Sequence, residues 1–363
     1  MELEEKLSII KPRESSGSDT YNRFGFQIAV AIELILKFAD NKESFIALMD
    51  YLDDVVIIND TDENNKSIFF YQVKSKNKGY ITINTVLREE WLDKMHYNIE
   101  ALQLYENKAV LITNTGISFD GKKFVEDLDE VSLEEFLNHT TNIVLKNKII
   151  KQIAKSNNIE EDKVLLNKMY IKRTTLILDD YDTQLKGKLH NFAVKLYPNL
   201  TAVSIDAIFN KIKIELEKKQ KNKFNITIPT IDKLYTQKGF SSKELNNIIS
   251  LVNDVQFPKN EDLYEIYEKL IKIDKKMNYL LFGKKIEDFK LATIKSSSST
   301  LKLCFSILDD NPLIDTMKNE EIIEELGQYL LNDKNVNTKD YVILYKEFII
   351  SLYVFKRVNG GKR

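Results

Sequence analysis

The sequence predicts an α/β N-terminal domain followed by a mainly helical C-terminal region. Short runs rich in β-branched and aromatic residues occur in the first 180 residues, and they alternate with stretches whose apolar residues recur at helical spacing. From about residue 200 onward, long amphipathic stretches dominate. We therefore expect a boundary near Pro198, with one domain over residues 1–198 and a helical regulatory or assembly region over residues 199–363.

The composition, with 43% hydrophobic and 30% charged residues, is that of a folded soluble protein. The chain has 53 Lys and Arg against 55 Asp and Glu, a net charge of −2, so a nucleic-acid surface would have to be local. The single cysteine, Cys304, excludes an internal disulfide framework and a Cys-type zinc site. No apolar segment approaches the ~20 residues that a membrane helix needs, and the N-terminus is acidic where a signal peptide is basic. We expect a cytoplasmic protein without membrane contact.

The first predicted element is a helix in NRFGFQIAVAIELILKF, which follows a polar lead-in over residues 1–20. The apolar residues at helical spacing are Phe24, Ile28, Ala31, Ile32, Ile35 and Phe38. Gln27 shares its face with Ala31 and Leu34, and an amide that points at apolar neighbours needs a partner inside the protein.

Two strands then follow in DVVIIN and SIFFYQVKS, joined by the turn-like TDENNK, and FIALMDYL is a candidate strand before them. They predict a β-hairpin or β-meander. The next stretch, TVLREEWLDKMHYNIEALQLYE, has helical periodicity, and KAVLITNTG predicts a short buried strand. RTTLILDD is a further strand candidate before the helical region.

The polar residues of the hairpin are the candidate site. Strand alternation places Gln72 and Lys74 on one face, and pairing with the preceding strand brings Asp53 or Asp54 within a few ångströms of them. A carboxylate and carbonyl oxygens hold Mg²⁺, and an ammonium beside them stabilises charge on a phosphate. Solvated strand ends often carry such charges, so spacing alone leaves a structural interpretation open. Gln72 favours a site, because burying its amide without a partner costs of order 1–3 kcal/mol.

The segments SGSDTYNRFGFQ, YLDDVVI and FFYQVKSK, followed by an amphipathic helix and a short strand, resemble the PD-(D/E)XK nuclease fold in its Q-x-K variety. They are most similar to the N-terminal endonuclease domain of bacterial anti-phage effectors that degrade double-stranded DNA. The resemblance covers roughly residues 13–195 and weakens after about residue 115. No Walker-type glycine loop and no GxSxG elbow is present, which argues against nucleotide hydrolysis by this chain.

The resemblance assigns roles to individual residues. It implies that Asp54, Gln72 and Lys74 are catalytic, with Gln72 at a position that is acidic in other branches of the fold. Gln27 matches a first-helix glutamine that approaches the metal in similar domains. The implied ligands of Mg²⁺ or Mn²⁺ are Asp54, Gln72, Val73, Asp53 and Gln27. Gln72 leaves one negative charge fewer for the metal, and Asp50 stands where similar domains often have a glutamate.

Basic residues near the motif are candidate DNA contacts. Lys76 and Lys78 follow the motif directly in KSKNK, and Arg23 lies in the first helix. The structural alternatives are an exposed loop for the lysines, and a helix cap and a surface ion pair for Asp19 and Arg23. The lysine-rich KIKIELEKKQKNK, residues 211–223, favours a solvated helix face over a DNA contact.

The resemblance implies a metal-dependent DNA endonuclease of anti-phage defence with little sequence specificity. Similar domains are joined to a cyclic-oligonucleotide sensor or encoded beside a ring-forming HerA-type ATPase. The helical region after Pro198 is short for an α/β sensor, so we expect the ATPase partner and a homo-oligomer. The alternative is a non-catalytic nuclease-fold subunit that serves as a binding or assembly module of a defence complex.

Overall fold

A computed structural model describes the chain over residues 21–59, 66–119, 122–124, 130–139, 143–198, 200–222, 230–255, 258–271, 275–293, 298–311, 322–336 and 339–360. The chain divides into two compact units. The first comprises the residues up to Phe192 together with Lys213–Leu245, and the second comprises Ala193–Ile212 together with Asn246–Arg363. The units thus alternate along the chain, whereas a single domain boundary after residue 198 stays a prediction.

A mixed sheet of seven strands organises the first unit. Its strands are β1 (Phe45–Tyr51), β2 (Asp53–Asn59), β3 (Ser67–Lys74), β5 (Glu106–Thr113), β8 (Val131–Ser132), β9 (Met169–Arg173) and β10 (Gly239–Ser241), and their order is β10-β1-β2-β3-β5-β9-β8. Strands β3, β5 and β9 are parallel, and the other pairings are antiparallel. A small second sheet contains β4 (Ile81–Thr82), β6 (Ile117–Phe119) and β7 (Lys122–Phe124).

The predicted meander is confirmed. Strands β1, β2 and β3 are consecutive antiparallel neighbours, with Val55 opposite Tyr71 and Ile58 opposite Ile68. The connecting turn lies outside the described residues apart from Lys66.

Helices cover both faces of the sheet. The helices that lie wholly or partly in the first unit are α1 (Tyr21–Asp40), α2 (Ile83–Arg88), α3 (Trp91–Ala101), α4 (Leu133–His139), α5 (Ile143–Asn157), α6 (Tyr181–Leu196), α7 (Ala202–Lys221), α8 (Ile231–Lys238) and α9 (Ser242–Val255). On one face the Phe38 ring of α1 lies 5.5 Å from the Phe69 ring of β3. On the other, Met95 of α3 belongs to an apolar cluster with Phe70 and Leu111. Because both faces are covered, the central strands are apolar on both sides, as the sequence indicates.

The helix predicted over residues 85–106 is wrong in its extent. The structure has two helices there, α2 and α3, with Glu89 and Glu90 between them. Glu90 adopts a left-handed conformation with φ of 55°, which a continuing α-helix does not allow. Trp91 therefore begins a new helix, and this break places its ring near the end of β3.

The strand predicted in RTTLILDD is also misplaced. Strand β9 ends at Arg173, where the predicted strand begins. The Thr174 N–H still donates to the Thr113 carbonyl at 2.9 Å, but the Thr174 hydroxyl then accepts from the Leu176 N–H at 3.1 Å. This local hydrogen bond offers the backbone an alternative to the ladder, so the β-branched run turns away from the sheet.

The second unit is helical, as predicted. Its remaining helices are α10 (Asn260–Leu270), α11 (Tyr279–Ala292), α12 (Ser298–Asp309), α13 (Ile322–Asn332) and α14 (Asp340–Gly360). Aromatic rings pack in its core, with the Phe348 ring 5.1 Å from the Phe282 ring and 5.8 Å from the Phe289 ring. Cys304 is buried there, and burial raises the pKa of its thiol to about 11. Among the described helices, none combines the length and apolarity needed to cross a membrane.

Candidate active site

Asp54 is the centre of the candidate site. Its Oδ1 accepts a hydrogen bond from Gln27 Nε2 at 2.7 Å, and its Oδ2 accepts from the Val73 N–H at 2.7 Å and from Lys74 Nζ at 3.3 Å. The carboxylate thus lies at the junction of α1, β2 and β3. The short distance that hairpin pairing predicts between a carboxylate and Lys74 is present. The catalytic and metal-binding roles of these residues stay predictions.

A tight connection between β1 and β2 positions the two aspartates. Leu52 adopts φ of 64°, and Tyr51 pairs with Asp53 across this turn. Asp53 Oδ1 accepts from the Asp54 N–H at 2.9 Å, and Asp53 Oδ2 accepts from Asn98 Nδ2 of α3 at 3.2 Å. Each carboxylate is therefore held by a separate helix, Asp54 by α1 and Asp53 by α3.

Both aspartates have raised pKa values. For Asp53, burial followed by the negative charge of Asp54 raises the pKa to about 7. For Asp54, burial raises the pKa, and Lys74 and the Val73 N–H oppose the rise. Burial disfavours a charged carboxylate unless a cation or hydrogen-bond donors compensate. Added positive charge would therefore stabilise the ionised form of this pair.

Gln72 places a buried side-chain oxygen next to the two aspartates. The side chain is 4% exposed, and its Oε1 is buried with no hydrogen-bond partner among the residues that the structure describes. Because Val55 pairs with Tyr71, the register of the two antiparallel strands brings Asp54 opposite Gln72. A buried amide oxygen that accepts no hydrogen bond is costly, and such groups in folded proteins call for an explanation.

The oxygen atoms around Asp54 are suitable ligands for a hard divalent cation. Within the described ranges, no three His, Cys, Asp or Glu side chains come together as a metal cluster. A cation at Asp54 would therefore need amide and carbonyl oxygens to complete its protein ligands, and Gln72 Oε1 and the Val73 carbonyl are of that kind. Carboxylate, amide and carbonyl oxygens are ligands that Mg²⁺ and Mn²⁺ accept.

Lys74 is held between a carboxylate and an aromatic ring. Its Nζ lies 3.3 Å from Asp54 Oδ2 and 5.5 Å from the centroid of the Trp91 ring, and its side chain is 24% exposed. Such cation–π contacts and the ion pair together restrict a flexible side chain. The ammonium therefore has a defined place at the end of β3 while part of it stays open to solvent.

Gln27 contacts Asp54 through its N–H end. It is 9% exposed, and its Oε1 accepts from Gln220 Nε2 of α7 at 2.9 Å. Both ends of the Gln27 amide thus have a hydrogen-bond partner inside the protein, as the sequence analysis predicts. With its oxygen on Gln220, Gln27 orients Asp54 in this structure, and its role as an oxygen ligand of a metal stays a prediction.

The predicted DNA contacts differ in their surroundings. Lys76 is exposed, and its Nζ donates to the Tyr80 carbonyl at 2.6 Å. Its backbone exchanges hydrogen bonds with the Asn114 side chain at 2.9 and 3.0 Å, which fixes this segment beside the end of β5. Lys78 is exposed. The side chain of Arg23, and the whole of Asp19, lie outside the described residues.

Sequence reasoning missed three contributors to the site. Asn98 is 5% exposed and lies between Met95 and Ile99, which belong to the apolar cluster, so the argument applied to Gln27 could have found it. Trp91 has no distinguishing signal in the sequence. Gln220 lies in the stretch expected to be a solvated helix face, and that expectation is wrong for three of its residues. Lys211, Lys219 and Gln220 are only 8%, 8% and 6% exposed.

Arg173 is a further cation at the same edge of the sheet. Lys74 pairs with Thr113, and Thr113 pairs with Arg173, all at the carboxyl ends of parallel strands. Residues in register on parallel strands point to the same face, so Arg173 and Lys74 leave the sheet together, roughly 10 Å apart across two strand spacings. In the described part of the chain, Arg173 Nε is buried without a hydrogen-bond partner.

Two known proteins are similar to this chain. The Lamassu protein LmuA of Bacillus cereus (strain VD014) is 26% identical over 245 residues, which are 67% of this chain and 66% of that protein. The chain thus spans slightly less than two thirds of that relative's length. A solved structure of a Cap4 SAVED/CARF-domain containing receptor from Moraxella osloensis has 12% identity and a TM-score of 0.36, over 65% of this chain and 48% of the other.

A family model described as Cap4, dsDNA endonuclease domain, matches residues 15–220. This range contains α1, the strands of the meander and every residue around Asp54 that is described above. The match confirms the predicted α/β nuclease fold of the PD-(D/E)XK type. Because it covers more than half of the 363 residues, the chain belongs to the Cap4 dsDNA endonuclease domain family.

Proposed function

We propose that this chain is an endonuclease of anti-phage defence that hydrolyses phosphodiester bonds of double-stranded DNA, using Mg²⁺ or Mn²⁺ and with little sequence specificity. One observation carries the proposal: a carboxylate and an ammonium lie 3.3 Å apart at the start of β2 and the end of β3, and the register places opposite the carboxylate a glutamine whose buried oxygen has no hydrogen-bond partner among the described residues. Membership of a family of double-stranded-DNA endonuclease domains supports the substrate and the reaction.

Asp54, Gln72 and the Val73 carbonyl, with Asp53 as the adjacent carboxylate, would hold the cation. When bound, such a cation acidifies a water molecule and neutralises charge on the phosphate. Gln27 and the Val73 N–H hold the Asp54 carboxylate in one orientation through two hydrogen bonds of 2.7 Å each. Preorganised groups of this kind avoid reorganisation during the reaction.

Lys74 supplies the positive charge of the chain itself. We assign to its Nζ the orientation of the attacking water and the offset of charge on the scissile phosphate. The Trp91 ring and Asp54 limit the positions that the ammonium can adopt, so that it is aimed before DNA binds. Arginine would not replace it well, because its planar fork cannot occupy the same contacts.

Local cations would hold the DNA backbone. With a net charge of −2, the chain depends on a few residues near the site for phosphate contacts. Lys78, Lys76 and Arg23 are the candidates from the sequence. Arg173 is a further candidate, because it lies with Lys74 at the carboxyl ends of the parallel strands. Contacts to phosphates carry no base preference, which fits low sequence specificity.

We further propose that a partner restrains the nuclease. An enzyme with little sequence preference would otherwise cleave the DNA of its own cell. We assign this control to a ring-forming HerA-type ATPase and to homo-oligomers assembled through the helical region. Sedimentation of the chain alone and with the ATPase tests this. Stable oligomers formed by the chain alone after adding a cyclic oligonucleotide would contradict the assignment.

Cleavage of supercoiled plasmid tests the central reaction. The wild-type chain, with its partner where one is known, is expected to cleave in Mg²⁺ and to stop in EDTA. Asp54→Ala and Lys74→Ala should each lose at least about 100-fold in rate. Asp182→Ala and Lys213→Ala are matched controls, because these residues form another Asp–Lys ion pair in the first unit, at 2.7 Å. Unchanged cleavage by both site variants would contradict the assignment of Asp54 and Lys74 as catalytic residues. Absence of cleavage under every condition would favour the non-catalytic binding module.

A further inference from the structure

A chain of directed hydrogen bonds connects α7 to Asp54. Gln220 Nε2 donates to Gln27 Oε1 at 2.9 Å, and Gln27 Nε2 donates to Asp54 Oδ1 at 2.7 Å. Gln220 is 6% exposed and Gln27 is 9% exposed, so water does not readily replace either bond. The three residues are far apart in sequence, and all of them lie in the first unit.

The direction of these two hydrogen bonds has a chemical cause. A carboxylate oxygen only accepts hydrogen bonds, so Gln27 must turn its NH₂ group toward Asp54. The opposite end of its amide is an oxygen, which needs a donor. Gln220 supplies that donor, so both ends of the Gln27 amide favour the same orientation. Without a donor at position 220, only the Asp54 carboxylate would distinguish the two ends.

The end of α7 is built to hold Gln220. Lys238 Nζ, on the last residue of α8, donates to the Gln220 carbonyl at 3.4 Å. Lys219 Nζ donates to the Thr236 carbonyl at 2.7 Å, and Asn222 Nδ2 donates to the Gln237 carbonyl at 2.9 Å. These side chains satisfy carbonyls in the last turn of α8 and tie the two helix ends together.

We propose that Gln220 is a positioning residue for the nuclease reaction, acting through Gln27 to hold the Asp54 carboxylate in its working orientation. The inference rests on the proposed function, since it gives Gln220 a part in the same site. Gln220 lies one residue before the end of α7, and this end of the helix belongs to the first unit.

The substitution that tests the direction is Gln220→Glu, which keeps the shape and replaces the donor by an acceptor. The new carboxylate would repel Gln27 Oε1, and we expect kcat to fall about 10- to 100-fold with the KM for DNA little changed. Gln220→Ala, which only removes the donor, should lose about 3- to 10-fold. Gln152→Glu is the matched control, because its amide donates to the Leu87 carbonyl and to Asp93. It should lower Tm and leave kcat unchanged.

A double-mutant cycle separates positioning from a structural role. In a Gln27→Ala background, Gln220→Glu should change kcat by less than about twofold, because the intermediary is already gone. Effects that multiply would overturn the inference, and so would a wild-type kcat for Gln220→Glu alone.

A crystal structure of Gln220→Glu provides a readout that needs no activity. We expect the Gln27 amide to leave Asp54 Oδ1, and an unchanged contact of Gln27 with Asp54 would overturn the inference. A wild-type chain that fails to cleave DNA in both Mg²⁺ and Mn²⁺ would instead overturn the proposed function. The two failures are thus distinguishable.

Discussion

Two lysines, one in each unit, differ in how completely the protein surrounds the ammonium group. In the helical unit, Lys290 is 1% exposed, and its Nζ contacts Asn260 Oδ1 at 2.5 Å and Glu287 Oε1 at 3.1 Å. Burial lowers the pKa of its ammonium, and Glu287 opposes that change. In the first unit, Lys74 is 24% exposed and lies beside Asp54 and the Trp91 ring. The ammonium of Lys290 is enclosed by Asn260 and Glu287 of its own unit, whereas part of the Lys74 side chain stays exposed to solvent.

The same difference holds for neutral polar groups. In the helical unit the hydroxyl of Thr293 donates to the Phe289 carbonyl at 2.8 Å, and that of Ser351 donates to the Glu347 carbonyl at 2.7 Å. Both are local helix contacts. In the first unit, Gln72 Oε1 is buried with no partner in the described part of the chain. Burial of a polar group therefore does not by itself indicate function here. For Gln72 the support for a site comes from its position opposite Asp54 and on the same face as Lys74.

The largest expected effect concerns Lys74. Lys74→Met keeps much of the apolar stem against Trp91 and removes the charge, so cleavage should fall at least about 100-fold while the fold is kept. The rate of plasmid cleavage and the far-UV circular dichroism spectrum measure the two quantities. Cleavage within a factor of three of wild type would remove the contrast between the two lysines.

Lys290→Ala should lower the stability of the protein and leave cleavage unchanged. It removes a packed stem and leaves Asn260 Oδ1 without its donor, so the free energy of unfolding should fall by about 1–3 kcal/mol. Cleavage by the folded protein should stay at the wild-type rate. Urea denaturation and plasmid cleavage together check this. A loss of cleavage without a loss of stability would mean that Lys290 also serves a functional site.

The hairpin and its polar residues could be predicted because they depend on local rules. Strand alternation brings Gln72 and Lys74 to one face, and the register of adjacent strands brings Asp54 to them. Gln27 could be expected to need a partner, although the partner's identity could not be read from the sequence. It is Gln220, which follows 193 positions later, and no local pattern connects the two residues.

The errors also have local causes. The break between α2 and α3 depends on a left-handed conformation of Glu90, a residue type that ordinarily favours helix. The end of β9 depends on a hydroxyl of Thr174 that competes with the strand ladder. In α7, lysines suggested a solvated face, yet Lys219 is buried because its ammonium reaches a helix-end carbonyl. The hydrophobic periodicity of a sequence does not predict such contacts.

Arg173 extends the comparison to a group whose partner would be the substrate. Arg173→Gln should weaken binding of double-stranded DNA about tenfold and reduce the slope of log K against log salt by about 1. Arg88→Gln is the control, since Arg88 is exposed and its Nε lies 2.9 Å from Glu89 Oε1. Fluorescence anisotropy at several salt concentrations measures both. An unchanged slope for Arg173→Gln would exclude a phosphate contact.

The smallest expected effect concerns His96, a buried group of the first unit outside the proposed site. Burial lowers its pKa from the ordinary value of 6.5, and Glu100 opposes the change. Below pH 6.5 the unfolded chain binds a proton that the folded chain does not, so the free energy of unfolding should fall as pH drops toward the folded-state pKa. His96→Leu should flatten this dependence in denaturation curves and leave cleavage unchanged. An equally steep curve for His96→Leu would assign the pH dependence to other groups.

We propose above all that Asp54 and Gln72 form a cation site beside Lys74. Anomalous scattering from crystals of the protein in Mn²⁺ tests it most directly, because it locates the metal without reference to activity. We predict a manganese peak in contact with the Asp54 carboxylate and Gln72 Oε1, and its loss in Asp54→Ala. Manganese bound only elsewhere, in a protein that cleaves DNA in Mn²⁺, would contradict the account.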